Sequence, residues 1–306
     1  MTRKTSIASG TEKGRPSKVH DGYDPSISIE ISAKCTACGI CVEVCPIGTL
    51  SFDLAITKSR RPVIFDPSIC LGCGQCIAVC PADAISNNHL PISEFSSINF
   101  NPKIEWDEFI ALTRQRRSVR RFSTTPVPKE IISNILNEST RYAPTGSNRQ
   151  AVEIILIEGE RLRAIRIEMN TSILRLHKVL KYTHWISNEL ELQWRHMRAW
   201  KRAIELGMDP STRNAPLIML FITDNRVKEN ETDAAILSYQ TVLSAEILGL
   251  KTCYFGAIVN LLPFSQKLKK MLNLPKHRQV ICGLLIGYTK IKYHKIVSRK
   301  PLELIS

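Results

Sequence analysis

Ten of the 306 residues are cysteines, and eight of them fall into two runs of one form, C-x2-C-x2-C-x3-C-P. The first holds Cys35, Cys38, Cys41 and Cys45 before Pro46; the second holds Cys70, Cys73, Cys76 and Cys80 before Pro81. A 4Fe–4S cube needs four thiolates at its corners. Three thiols at intervals of three on a tight loop can wrap three corners, and the fourth must come from elsewhere. The competing chemistry is a pair of structural zinc sites, but zinc ribbons usually present two separated C-x2-C knuckles. Gly39, Gly72 and Gly74 suit loops whose backbone N–H groups approach cluster sulfurs. Disulfides would need an oxidising compartment, whereas the first residues are polar and charged with no apolar h-region, so the expectation is a cytoplasmic protein with reduced thiols. Cys253 and Cys282 sit in apolar segments and read as small buried hydrophobes.

Residues 30–88 resemble a bacterial two-cluster ferredoxin. In that family the fourth cysteine of each run ligates the other cluster. The resemblance therefore implies one cluster on Cys35, Cys38, Cys41 and Cys80, and a second on Cys70, Cys73, Cys76 and Cys45. Two cubes in a small domain make a one-electron wire and do no substrate chemistry. The reaction has to come from the rest of the chain.

The next chemistry-bearing stretch is "RQRRSVRRF" (114–122), five arginines and a serine in nine residues. It can be a solvated basic helix end, or a nucleic-acid contact, although aromatic interleaving is sparse and no recognised module surrounds it. A third reading fits the spacing better: guanidinium forks and a hydroxyl can converge on a phosphate. No GxGxxG follows a strand, and neither a Walker loop nor HExxH occurs, so those nucleotide and zinc readings lack support.

Taken with three later motifs in order, the arginine run resembles the phosphate-binding start of the nitroreductase family of FMN flavoproteins. "APTGSNRQ" (143–150) is similar to its flavin loop, "LGLKTCYFGA" (248–257) to its segment under the flavin ring, and "IGYTK" with "VSRKPLE" (286–303) to its closing strand and last phosphate arginine. The resemblance covers residues 105–303. It implies that Arg116, Arg117, Ser118 and Arg120 hold the FMN phosphate and ribityl chain, with Arg299 completing the phosphate site. Pro144, Thr145, Gly146 and Asn148 would contact flavin bound mainly by a second subunit, which implies a homodimer with shared sites. Phe255 and Gly256 would offer backbone N–H groups to the flavin N5 and O4 edge. The chain departs from the family pattern at Ala151 and Val152 after the loop, at Phe255 before the glycine, and at Val297 before the last arginine.

The elements that must position these residues form an α+β chain: a small two-cluster ferredoxin-like domain, then a nitroreductase-like FMN-binding domain with a central, mainly antiparallel sheet and helices. The boundaries read as a tail over 1–28, the cluster domain over 29–90, a linker over 91–104 and the flavin domain over 105–306. Periodicity predicts helices over 105–116, 128–140 and 231–250, helical stretches between 160 and 206, and strands over 152–158, 216–223 and 279–288. In the 160–206 stretch, His177 and His184 lack the spacing of a metal site, and Trp185, Trp194 and Trp200 read as core, dimer contacts or pocket walls. No run of 18 apolar residues occurs, which argues against a membrane span.

The formal net charge is +14, and 33 of the 42 basic but only 19 of the 28 acidic residues follow residue 100. That excess suits an anionic cofactor or an acidic protein partner. The expected activity is an FMN-dependent oxidoreductase that takes electrons from reduced ferredoxin through two 4Fe–4S clusters to FMN and on to a nitroaromatic, quinone or activated alkene. The alternatives are NAD(P)H reducing FMN while the clusters export electrons, a redox-sensing or nucleic-acid-binding protein with structural clusters, and a pure electron carrier.

Overall fold

The fold is taken from a computed structural model of the chain, which describes residues 26–52, 61–98, 104–226 and 230–305. Most of the expected tail and part of the expected linker lie outside them. Contacts divide the chain into two units, Met1–Phe100 with Ser147–Arg149, and Asn101–Gly146 with Gln150–Ser306.

The first unit is built twice from one plan. Strand β1 (Ile29–Ile31) leads to a single helical turn, α1 (Ile40–Glu43), and strand β2 (Leu50–Phe52). Strand β3 (Pro62–Ile64) leads likewise to α2 (Gln75–Ala78) and β4 (Ile85–Asn87). β1 pairs antiparallel with β4, and β2 with β3, so the two halves interlock. Each helical turn starts from a left-handed glycine, Gly39 at φ 80° and Gly74 at φ 75°, a conformation glycine adopts without strain. A four-residue helix has no stability of its own, and among the described residues the buried apolar cluster holds Ile27, Ile29, Leu50, Ile77 and Ile85 beside Cys41. So small a core leaves the unit dependent on something bound within it.

The second unit is a four-stranded antiparallel sheet between helices, with strand order β5-β6-β8-β7. After α3 (Trp106–Gln115) and α4 (Lys129–Asn134) come β5 (Glu153–Glu158) and two long helices, α5 (Gly159–Thr183) and α6 (Asn188–Glu205). Strand β6 (Leu217–Asp224), helix α7 (Asn230–Ile247), strand β7 (Lys251–Tyr254), helices α8 (Gly256–Leu261) and α9 (Gln266–Leu272), and strand β8 (Arg278–Gly287) complete it. Every residue of β6 is buried. Its side chains alternate between two cores: Ile218, Leu220 and Ile222 pack with Ile165, Met169 and Ile173 of α5, while Leu217, Met219 and Phe221 pack with Ala234, Leu237 and Val242 of α7. The period-two alternation of a strand sandwiched between helices explains why the run is apolar throughout.

The expected strands over 216–223 and 279–288 occur at Leu217–Asp224 and Arg278–Gly287, and the expected helix over 231–250 at Asn230–Ile247. The stretch expected as a helix over 128–140 is α-helical only to Asn134 and then widens into a π-turn through Ser139. The helical stretch of 160–206 breaks at His184–Ile186, where the Ser187 hydroxyl caps α6 by accepting from the Leu190 N–H at 3.2 Å.

Two glycines let β8 lie against its neighbours. A Cβ on Gly287 would stand 2.5 Å from Cδ of Pro216 and 3.3 Å from the Phe122 ring, and one on Gly283 would stand 2.9 Å from Leu220. A proline ring cannot rotate away. Gly287→Ala is expected to lower the unfolding free energy of the full chain by about 1–3 kcal/mol through overpacking, measured by urea denaturation followed by far-UV circular dichroism.

Candidate functional site

In the first unit the eight thiols gather around two small cavities. One is lined by Cys45, Cys70, Cys73 and Cys76. The other is lined by Cys35, Cys38, Cys41 and Cys80. Each set draws three thiols from one run and the fourth from the other. The electrostatics follow the same grouping: burial, then the nearby Cys70, Cys73 and Cys45, push the Cys76 thiol up to about 12. Burial, then Cys38, Cys35 and Cys80, push Cys41 up as well. Cys45 goes the other way. Burial opposes its thiolate, yet the backbone N–H groups of Leu50, Ile47, Thr49 and Gly48 outweigh that and hold its pKa below the ordinary thiol value. Further N–H groups meet sulfur at Gly72 to Cys70 and Ala84 to Cys80, each at 3.3 Å.

Among the described residues, no group of three or more His, Cys, Asp or Glu side chains is placed to hold a single metal ion. Four thiols lining one cavity, three from one run and one from the other, suit a multi-iron cube. The donor chemistry agrees, since thiolates with N–H groups aimed at sulfur are the surroundings an iron–sulfur cluster takes.

In the second unit the arginine run leaves α3 as an extended segment along the sheet edge. Ser118 forms a parallel bridge with Thr252 of β7, and the Val119 N–H donates to the Thr252 carbonyl at 2.9 Å. Val119 is buried while Arg116, Arg117 and Ser118 are half-buried and Arg120 is exposed. Nε of Arg116 is buried without a hydrogen-bond partner, and none of the ion pairs among the described residues involves Arg116, Arg120 or Arg213. The permanent cations of Arg116 and Arg120, with an orphaned donor on Arg116, fit an anionic group such as the FMN phosphate. Arg117 is turned to another task, its guanidinium lying 4.9 Å from the centroid of the Tyr293 ring. Arg299 is not gathered here: it lies in the exposed segment after β8 and donates to the Ser298 carbonyl at 3.2 Å.

β7 runs straight into the turn at Phe255 and Gly256. The buried Phe255 is fixed by its N–H, which donates to the Gly283 carbonyl at 2.7 Å, so that N–H serves the sheet and not a ligand edge. An added methyl on the exposed Gly256 would meet nothing within 4 Å. Beneath this turn the Tyr254 hydroxyl bonds Ser238 Oγ at 3.1 Å, and burial pushes the phenol pKa up.

The loop after Ala143 is strained. Ser147, Asn148 and Gln150 all have positive φ, 49°, 51° and 50°, an uncommon run for residues other than glycine. The Gly146 N–H donates to Asp233 at 2.9 Å, and the Thr145 hydroxyl accepts from the Gln150 N–H at 3.0 Å. Pro144 is exposed. Ser147–Arg149 are counted with the first unit, where the Asn148 side-chain amide donates to the Gly72 carbonyl at 2.8 Å. The resemblance gave Asn148 to the flavin; its amide is instead engaged by a carbonyl that the left-handed Gly72 turn, at φ 58°, presents.

A residue the motifs did not single out also stands at the sheet edge. Arg213 has φ 55°, followed by Asn214 at φ 61°, and its carbonyl accepts from the Phe122 N–H at 3.1 Å. Asp209 locks this turn: it accepts from the N–H groups of Thr212 and Asn214, both at 3.0 Å, from the hydroxyls of Ser211 and Thr212, and from Arg166. Between α5 and α6, Trp194 stacks on His184 with ring centroids 4.2 Å apart, Trp200 packs on the core, and Trp185 is 76% exposed.

Residues 113–288 match the nitroreductase family. Residues 34–84 match the 4Fe-4S dicluster domain, and a second dicluster domain description matches 62–121. The chain is similar to a 4-nitrobenzoate reductase of Pseudomonas putida, 27% identical over 198 residues that cover 60% of this chain and 86% of the relative. A 4-nitrobenzoate reductase of Nocardioides sp. (strain LMS-CY) is 27% identical over 234 residues, 66% of this chain and 89% of the relative. The solved structure of a nitroreductase with bound FMN from Bacteroides fragilis NCTC 9343 superposes with a TM-score of 0.51 at 16% identity, covering 65% of this chain and 99% of that one.

The Asp209 turn gives a pH-dependent expectation. Burial raises its pKa, but the Thr212, Asn214 and Ser211 donors outweigh that and leave the carboxyl below the usual aspartate value. A carboxyl depressed on folding stabilises the protein above its unfolded pKa of about 4, and loses that contribution as pH falls through the lower folded value. Asp209→Asn is expected to cost about 3 kcal/mol at pH 7 by leaving Arg166 and the turn donors unmatched, and the difference from wild type should shrink as urea melts are taken from pH 5 towards pH 3.

Proposed function

We propose, from the premise that the chain belongs to the nitroreductase family, that it is an iron–sulfur flavoprotein oxidoreductase in which electrons enter through two 4Fe–4S clusters and leave from FMN to an organic acceptor. The observation that carries this reading is the presence, in one polypeptide, of two four-thiol cavities and of arginines without an ion-pair partner among the described residues. Clusters supply one-electron transfer, and FMN supplies storage of two electrons and their delivery as a pair. Arg116, Ser118 and Arg120 would hold the flavin's phosphate and ribityl chain, with Pro144, Thr145 and Gly146 bounding the site and Gly256 leaving room above the turn that Phe255 anchors.

The acceptor class we favour is the nitroaromatic, because both curated relatives are named for 4-nitrobenzoate; quinones and activated alkenes are the other candidates. Reduction of a nitro group to a nitroso group takes two electrons and two protons and releases water, so the site must admit protons as well as substrate. We assign proton delivery to solvent.

Reduced ferredoxin is the favoured donor, since it delivers the single electrons that 4Fe–4S clusters carry. Anaerobically purified protein should contain FMN and about eight irons per chain, as two cubes require. In stopped-flow mixing, reduced ferredoxin should bleach the flavin band faster than NADH or NADPH. The reverse order would favour the alternative in which NAD(P)H reduces FMN and the clusters export electrons, and absence of flavin would leave the nucleic-acid or sensing reading.

The homodimer reading draws on an apolar face. Helices α3 and α7 pack together and leave Trp106, Phe109, Tyr239, Ile247 and Leu248 at the surface, with Trp106 70% and Ile247 68% exposed. Exposed apolar clusters of that kind mark association surfaces. Ile247→Glu is expected to shift the protein to monomer in sedimentation and to reduce its FMN content on purification.

A further inference from the structure

We propose that Arg213, in the turn before β6, is a further FMN-binding arginine, which joins Arg120 across Cys253 to hold the phosphate end of the flavin. The proposal rests on the FMN reading above and adds to it a residue from a different part of the chain.

The first argument is placement by backbone. The Arg213 carbonyl accepts from the Phe122 N–H, and the Ser118–Thr252 bridge holds the same arginine segment against β7. Arg213 is thus fixed opposite the end of the arginine run, two residues beyond Arg120. Burial raises the pKa of the Cys253 thiol of β7, and the charges of Arg213 and Arg120 both act against that rise. Two guanidinium groups near enough to act on one buried side chain repel each other, and the described ion pairs supply neither with a carboxylate.

The second argument is the cost of the conformation. Two successive left-handed residues that are not glycine, Arg213 at φ 55° and Asn214 at φ 61°, persist only where their surroundings impose them. The surroundings do so at length, through the five donors on Asp209. Asn214 tolerates this conformation by its chemistry. Arginine does not favour it, and glycine or asparagine would relieve the strain, so the fold alone gives no reason for arginine at 213. An anion bridged by Arg120 and Arg213 supplies one: it offsets the repulsion and engages both forks.

The test separates ligand binding from folding. Flavin is removed from the full chain with its clusters retained, and the binding of FMN and of riboflavin, which lacks the phosphate, is followed by fluorescence quenching. Arg213→Asn, which accepts left-handed backbone, is expected to bind FMN at least about tenfold more weakly, in line with loss of a charge-assisted hydrogen bond. Riboflavin affinity should stay unchanged, and the flavin-free unfolding midpoint should stay level or rise. Arg213→Lys should lie between wild type and Arg213→Asn for FMN. Unchanged FMN affinity, or equal loss for both flavins, overturns the assignment, as does a lowered midpoint with both affinities falling together. Wild-type protein that binds neither flavin would instead overturn the functional reading, and this assignment with it.

Discussion

Positive charge that no ion pair among the described residues neutralises is the constraint around which the second unit's sheet edge is arranged. Guanidinium stays protonated at any pH a folded protein meets, so a half-buried arginine without an acid has to find an anion or remain costly. Several carboxylates of the second unit are paired elsewhere. Asp209 serves Arg166 and its own turn, Asp224 serves Arg226 and Arg278, Glu246 serves Lys251, and Glu168 serves Lys267 and Arg175. Arg116, Arg120 and Arg213 take part in none of the ion pairs among the described residues.

The first unit states the same problem with the opposite sign. Eight thiols are held in two sets, and burial, then neighbouring thiols, raises the pKa of Cys41 and Cys76. Iron is what such a set accommodates, since binding it requires the thiolates and supplies the charge that holds them together. Cys45 differs from Cys76 because four backbone N–H groups around it already favour the thiolate. A cluster receiving Cys45 would therefore sit in a field of N–H donors, one of the factors that sets its potential.

How much of this was legible depends on how local each signal is. Cysteine spacing within one loop is a local property, and the two cavities draw the same fours that the resemblance implied, although the crossing itself could come only from the family likeness. The runs "PLIMLFIT" and "QVICGLLIGY" read as buried strands because both faces of β6 and β8 are covered. The break between α5 and α6 was not legible: apolar and basic residues continue through His184 to Ile186, and only Ser187 marks the restart. β7, at four residues, is too short for alternation to register. Arg213 and Asn148 escaped in a different way. Positive φ outside glycine carries little sequence signal, so neither the turn that aims Arg213 nor the one that turns Asn148 to Gly72 could be inferred from residue types.

Two glycines on β8 tie these local features into one geometry. Gly287 admits the Pro216 ring and the Phe122 side chain, and those residues stand just after Arg213 and just after the arginine run. Gly283 admits Leu220 and gives its carbonyl to the Phe255 N–H, which fixes the turn into Gly256. One central strand thus sets both the cationic edge and the turn where the ring segment is expected. Their separation is dictated by sheet register and not by loop conformation. A rigid scaffold of this kind suits chemistry on a bound cofactor, because the protein contributes position and charge while the reacting groups belong to the ligand. It also explains why no side-chain nucleophile or paired acid and base stands out along the chain: the residues that matter hold, neutralise and exclude, and substitutions there should register first as altered cofactor affinity.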